Sequence, residues 1–242
     1  MNGPVSGVRA MVEDVREQLA VACRILSAEG HEHFQLGHVS AREAPGADRF
    51  WIKAAGLGLG EVTSADLVQL DLDGNRLAGD RPVHQEVFVH TEIYRRRADV
   101  LAVVHTHPFH VAALAATDAE LRMVSQDSVP FAPRPARYDS ALLIVTPEQG
   151  RAVAEALGDG SVVILRNHGI VVADASIEGV VFLAVSLERS VRMQHAAAVL
   201  GEVRDIAPDE VAELSRELGP SHAARARGVF EYLRRSNPEP DG

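Results

Sequence analysis

Four residues stand out for their chemistry: Glu86, His105, His107 and His168. His105 and His107 close the run VLAVVHTH at 100–107, whose apolar, β-branched residues predict a buried strand. Residues i and i+2 of a strand project to one face, so the two imidazoles point the same way. Two neutral imidazoles on a rigid strand can hold a divalent cation. The chain has 11 histidines, however, and buried histidines with ordinary hydrogen-bond partners fit His-X-His as well. His168 shifts that balance. It occupies the corner Asn167-His168-Gly169 between two apolar runs, where a polar ring is costly without a partner. Three neutral imidazoles that leave an open position make a catalytic metal site. Glu86 stands 19 residues before His105 and opens a helix expected over 85–97, with His90 one turn further on the same face. Its carboxylate suits a general acid or base beside a cation, or an extra ligand. A helix-start carboxylate favoured by the dipole is the plainer reading.

The elements that must carry these groups follow from pattern and punctuation. Residues 8–29 place Met11, Val15, Leu19, Ala22 and Leu26 at helical spacing and stop at Gly30. RFWIKAA and LVQLDLDG predict strands on either side of the Gly-rich loop GLGLG at 56–60. A short helix is expected at 109–116, and a structured loop at 124–140, which holds Pro130, Pro133 and Pro135. LLIVT at 142–146 predicts a strand, and Pro147 starts a helix through Leu157. SVVILRNHGIVVA predicts two strands meeting at the Asn-His-Gly corner. A long helix over 176–200 and a helix pair at 208–218 and 221–235 complete the chain. His31 and His33 fall in a polar connection and are expected to face solvent. Arg95-Arg96-Arg97 reads as a solvated helix end. The expected fold is α/β: one domain over 8–235, with a mixed, mainly antiparallel central sheet flanked by helices. Flexible tails are expected at 1–7 and 236–242.

Composition narrows the function. With 24 Lys and Arg against 34 Asp and Glu, the net charge is −10, which argues against nucleic acid or an anionic membrane as partner. The single cysteine, Cys23, excludes an internal disulfide and fits a reducing cytoplasm. No apolar run approaches the roughly 18 residues of a membrane span, and the first residues lack a signal-peptide plan. The expectation is a soluble cytoplasmic protein. GLGLG lacks the later glycine and acidic partner of a dinucleotide fingerprint.

The stretches HTEIYRRRADVLAVVHTHP and LRNHGIVVADASIEG, with Glu86 ahead of them, resemble the class II aldolase/adducin family of metal-dependent lyases. The likeness runs from GHVSARE to LERSVRMQHAA, nearly the whole chain. It implies the class II aldolase-like fold, Glu86 as catalytic acid/base, and His105, His107 and His168 as ligands of one divalent ion per subunit. Zinc, manganese, iron and cobalt all suit such a set. It also implies a homotetramer. The sugar-phosphate aldolases of that family hold phosphate with Gly-Asn, Ser-Gly and Ser-Ser pairs. This chain has Gly37-His38, Ala55-Gly56 and His84-Gln85 instead, which removes the hydroxyl and amide donors that suit a phosphate dianion.

GHVSAR, HTEIY and YDSALLIVTPEQGRAVAEAL look more like the decarboxylase branch, whose substrates are hydroxy-aromatic or ring-cleaved dicarboxylic acids. A small acidic substrate is therefore expected. His38, Arg42, Lys53, Gly56 and His84 are candidates to bind it, and Tyr138 is a candidate proton donor to a neighbouring subunit's site. Arg42 and Lys53 also read as surface charges, and His38 as a turn cap. His110 either lines the pocket or starts a helix. The expected function is a metal-dependent decarboxylase in which the electrons freed by C–C cleavage rest on an oxygen beside the cation. The alternatives are an aldolase on a non-phosphorylated hydroxy-keto substrate, a non-haem iron oxygenase on the same three histidines, and a scaffold without metal.

Overall fold

The computed structural model describes residues 14–237. The expected tail at 1–7, the first residues of the helix expected from Val8, and positions 238–242 lie outside them. Eight strands form one sheet: β1 His38–Arg42, β2 Arg49–Lys53, β3 Leu67–Asp71, β4 Arg76–Ala78, β5 Ala102–Thr106, β6 Ala136–Tyr138, β7 Val162–Leu165 and β8 Gly169–Asp174. Their order is β4-β3-β2-β1-β5-β8-β7-β6. Only β6 and β7 run parallel, so the sheet is mixed and mainly antiparallel, as expected. The helices are α1 Val15–Leu26, α2 Phe88–Arg96, α3 Phe109–Ala115, α4 Pro147–Leu157, α5 Ile177–Leu200, α6 Pro208–Leu218 and α7 His222–Ser236.

Alternation along the strands sorts the core into two layers. Val39, Ala41, Val104, Ile170 and Val172 pack with α1, α3, α5 and α7 on one face. Phe50, Ile52, Val103, Val163 and Val171 pack with α2 and α4 on the other. Val103 and Val104 are fully buried on opposite faces of β5, each burial worth roughly 1.5–3 kcal/mol. A one-residue slip would turn each into the wrong layer, so the register of β5 is firmly set. The helix starts follow from side chains: Thr146 accepts from the Gln149 N–H before Pro147, and Ser176 accepts from the Gly179 N–H before α5.

Several expectations need correction. LLIVT at 142–146 is not a strand. Leu142 and Leu143 are exposed, the Ile144 N–H goes to a side chain, and Val145 and Thr146 donate to Gln149 at the start of α4. The segment has strand-like composition without a sheet neighbour. The loop expected at 124–140 contains a 3₁₀ turn, Gln126–Phe131, and the edge strand β6. His31 is fully buried rather than solvent-facing, because the chain continues past Leu26 through a widened helical turn that carries the ring inward. His33 is exposed, as expected. Arg97 is no solvated helix end: it donates to the Gly158 and Gly160 carbonyls and pairs with Asp99 at 2.7 Å.

Gly169 fits where no side chain would. An added Cβ would fall 2.4 Å from the Thr106 carbonyl oxygen and 2.5 Å from His107 Cδ2. Gly169→Ala is expected to destabilise the protein by roughly 1–3 kcal/mol and to displace the His105–His107 segment. Thermal unfolding checks this, and an unchanged Tm would contradict it.

Candidate metal centre

The central strand β5 supplies two of the four groups and its neighbours supply the rest. His105 lies opposite His38 on β1 and opposite Val171 on β8. His107 follows just past the strand end, on the same face. The β7–β8 hairpin turns through Asn167, whose φ of 54° is the left-handed conformation that Asn tolerates. That corner brings His168 to the pair. The three ring centroids form a near-equilateral triangle with sides of 4.8, 4.9 and 5.0 Å.

Hydrogen bonding determines which nitrogen of His105 faces inward. His105 donates from Nδ1 to the Ile170 carbonyl at 2.9 Å, which leaves Nε2 a bare lone pair. His107 Nε2 lies 3.2 Å from it. One ligand atom from each of His105, His107 and His168 falls within 4.8 Å of the others. Converging imidazole lone pairs repel until a cation joins them, and three neutral nitrogens of this kind fit a divalent transition ion. Burial, then the neighbouring rings, push His107 down to about 3. Burial and His105 push His168 down to about 4, with Glu86 opposing. Both rings are thus neutral at neutral pH, the form that binds metal.

Glu86 occupies the short 3₁₀ turn Gln85–Val87 that leads into α2. Its two oxygens lie 3.6 Å from His105 Nε2 and 3.7 Å from His168 Nε2. The Ile144 N–H donates to Oε1 at 3.0 Å. Burial alone would raise its pKa. The adjacent His105 ring, the Ile144 N–H and His168 oppose that effect and hold it at about 2. Glu86 also falls within 4.8 Å of ring nitrogens of His38 and His105.

The remaining candidates divide into two groups. Buried His38 and Lys53 and half-buried His84 form a continuous row beside His105. Ring centroids are 5.0 Å apart for His38–His105 and 4.5 Å for His38–His84. Lys53 Nζ is 3.2 Å from His84 Nε2, 3.1 Å from the Ala54 carbonyl and 3.3 Å from the Gln35 carbonyl. His84 Nε2 also lies 3.1 Å from the Ala54 carbonyl, so it meets both the ammonium and a backbone acceptor. Burial and the Lys53 charge hold His84 at about 4. Neither His38 nor Lys53 is a turn cap or a surface charge, since both are at most 2% exposed.

Arg42, Gly56 and Tyr138 are not brought to the cluster. Arg42 lies four residues along β1 from His38, roughly 13 Å. It is buried against the Tyr94 ring and bonds the Tyr94 carbonyl. Gly56 lies on an exposed turn with φ of 87°. Tyr138 lies on the edge strand β6 and packs on the α4 side of the core. His110 serves the start of α3: Glu188 accepts from its Nδ1 and from the His110 and Val111 N–H groups.

Three contributors escaped the sequence reading. His31 meets Thr106 Oγ1 at 2.9 Å through Nδ1 and so braces the residue between the two strand histidines. The Ile144 N–H holds Glu86. His90 contacts His38 directly, with nitrogens 2.6 Å apart. The available signal for His90 was its i+4 spacing from Glu86.

The model of the Class II Aldolase and Adducin N-terminal domain matches residues 17–195. A 3,4-dihydroxyphthalate decarboxylase of Arthrobacter keyseri is 31% identical, over 90% of this chain and 93% of that protein. A 4-hydroxy-3-prenylphenylpyruvate oxygenase/4-hydroxy-3-prenylbenzoate synthase of Streptomyces roseochromogenus subsp. oscitans is 30% identical, over 84% of this chain and 74% of that protein. Among solved structures, the L-fuculose 1-phosphate aldolase of Glaciozyma antarctica PI12 superposes with a TM-score of 0.80 at 25% identity, covering 98% of this chain and 96% of that one.

Purified protein is expected to carry one divalent ion per chain. His168→Ala should weaken retention by roughly tenfold or more, measured by elemental analysis after dialysis. Acid should also weaken the metal-free fold. His31 and His107 titrate near 3 and His84 and His168 near 4, all below the ordinary 6.5. The unfolded chain therefore binds more protons between about pH 6.5 and 3, and stability rises with pH across that window. The urea midpoint should fall steadily from pH 6.5 to 4; a flat profile would contradict the burial of these rings.

Proposed function

Because the chain belongs to the class II aldolase and adducin family, we propose that it is a metal-dependent carboxy-lyase acting on a hydroxylated aromatic or related unsaturated dicarboxylic acid. The observation that carries this reading is the row Lys53–His84–His38 beside Glu86 and the three histidines. The row presents nitrogen donors, and its lysine is spent on two carbonyls and an imidazole rather than on a carboxylate. Such a wall suits the oxygens of an acid. The serine and amide donors that suit phosphate are replaced along it by Gly37-His38 and His84-Gln85.

A divalent ion held by His105, His107 and His168 would supply Lewis acidity to a substrate oxygen. The chain's own residues account for the rest. Lys53 orients His84, and His84 and His38 bind the substrate oxygens. Glu86, a carboxylate at rest, takes the proton of the substrate hydroxyl and delivers it to the ring or alkene carbon that bears the carboxyl group, which turns the substrate into its keto tautomer and regenerates the Glu86 carboxylate. The bond from that carbon to the carboxyl carbon then breaks and CO₂ leaves. The electron pair of that bond passes through the conjugated system to the oxygen, giving the phenolate or enolate. The buried rings around the site keep water from competing for that proton.

The test uses 3,4-dihydroxyphthalate as first probe, with CO₂ release as the readout. Release should stop with a chelator. It should fall by roughly 10²–10⁴-fold in Glu86→Gln, with the metal retained. Cleavage of fuculose or ribulose phosphates, without CO₂ from any such acid, would overturn the proposal in favour of an aldolase. Oxygen uptake with iron and none with zinc or manganese would overturn it in favour of an oxygenase.

A further inference from the structure

Behind the metal centre runs a second polar chain, buried throughout. β1 turns His38, Ser40 and Arg42 toward α2, while Val39 and Ala41 face the other layer. Along the 3₁₀ turn and α2, Glu86, His90 and Tyr94 recur at four-residue spacing and face that row. The two rows interlock. His38 Nδ1 lies 2.6 Å from His90 Nε2, His90 Nδ1 2.6 Å from Ser40 Oγ, and Ser40 Oγ 2.8 Å from the Tyr94 hydroxyl. His38, Ser40, His90 and Tyr94 are each 2% exposed or less.

Each contact needs one hydrogen, and the chain can point in only two directions. In the outward direction Tyr94 must donate to the Leu101 carbonyl, 3.3 Å away and already bonded by the Arg42 N–H at 2.8 Å. In the inward direction Tyr94 donates to Ser40, Ser40 to His90 Nδ1, and His90 Nε2–H to His38 Nδ1. The three links are the same in both directions, and only the outward one depends on the long 3.3 Å contact at its end. The inward direction also leaves the second His38 nitrogen protonated beside Glu86, where a bare lone pair would meet a carboxylate.

We propose that His90, backed by Ser40 and Tyr94, is a positioning residue that fixes His38 as the Nε2–H tautomer and so makes it a neutral donor to a substrate oxygen. Tyr94 ends the chain deep in the core, so the row orients a proton and does not export one. A neutral donor holds an oxygen before and after charge develops on it, and its bond strengthens as the charge grows. That catalytic use rests on the carboxy-lyase reading above; the tautomer does not.

The test is ¹⁵N-histidine spectroscopy of the zinc-loaded protein, with the His38 signals identified by their loss in His38→Gln. The wild type should show a protonated Nε2 and an unprotonated Nδ1 at His38. Ser40→Ala removes one oxygen and His90→Phe keeps the ring volume, and both should move His38 toward the Nδ1–H form. Metal content should hold, while CO₂ release from 3,4-dihydroxyphthalate falls about tenfold, the loss of one buried hydrogen bond. A wild-type His38 protonated at Nδ1 would overturn the proposal. So would an unchanged tautomer in Ser40→Ala, the milder variant, if His90→Phe fails to fold. Because the spectra need no turnover, an inactive preparation speaks against the carboxy-lyase reading alone.

Discussion

The hydrogen bond from His105 Nδ1 to the Ile170 carbonyl ties the site to the fold. It joins a side chain of the central strand to the backbone of its neighbour, so the sheet register sets the tautomer as well as the position of the ring. With the proton fixed on that side, the opposite nitrogen faces His107 and His168 as a lone pair. The rest follows from this. β8 must pair with β5 in one register, Gly169 must have no side chain, and the β7–β8 corner must be tight enough to return His168 to the same spot. His31, from the other layer, bonds Thr106 and holds the strand between the two imidazoles.

Much of this was legible in the chain. VLAVVHTH and the Asn-His-Gly corner read correctly because a buried central strand needs apolar residues on both faces, and a tight hairpin needs its turn residues. LLIVT failed for the converse reason. Strand-like composition says nothing about whether a neighbour is present to bond, and here the backbone serves Glu86 and α4 instead. His31 was misread because a widened turn after α1 changes which way a side chain points, and periodicity assumes a regular helix. Arg42 and Lys53 read from the sequence as substrate-binding candidates or as surface charges, and the fold instead closes carbonyls and rings around them.

The distribution of polar groups bears on the proposed chemistry. The face of the sheet toward α2 carries His38 and the histidine triad, with Glu86 on the turn above them, where a core would ordinarily be apolar. Burying so many polar side chains is unfavourable unless each finds a partner. Most do, through one another and through backbone carbonyls. The groups left pointing into the site are then few and oriented, which is the condition for binding one kind of ligand well.

The interlocked rows of β1 and α2 also constrain how the protein can evolve. His38, Ser40, His90 and Tyr94 satisfy one another in sequence, so replacing any one strands its neighbour without a partner. Their effects will be strongly non-additive. A lineage moving to a new substrate therefore meets a valley of single changes at these positions. It finds an easier path at His84, outside the row. Substrate range can drift at the mouth of the site while the row behind it changes as a set or not at all.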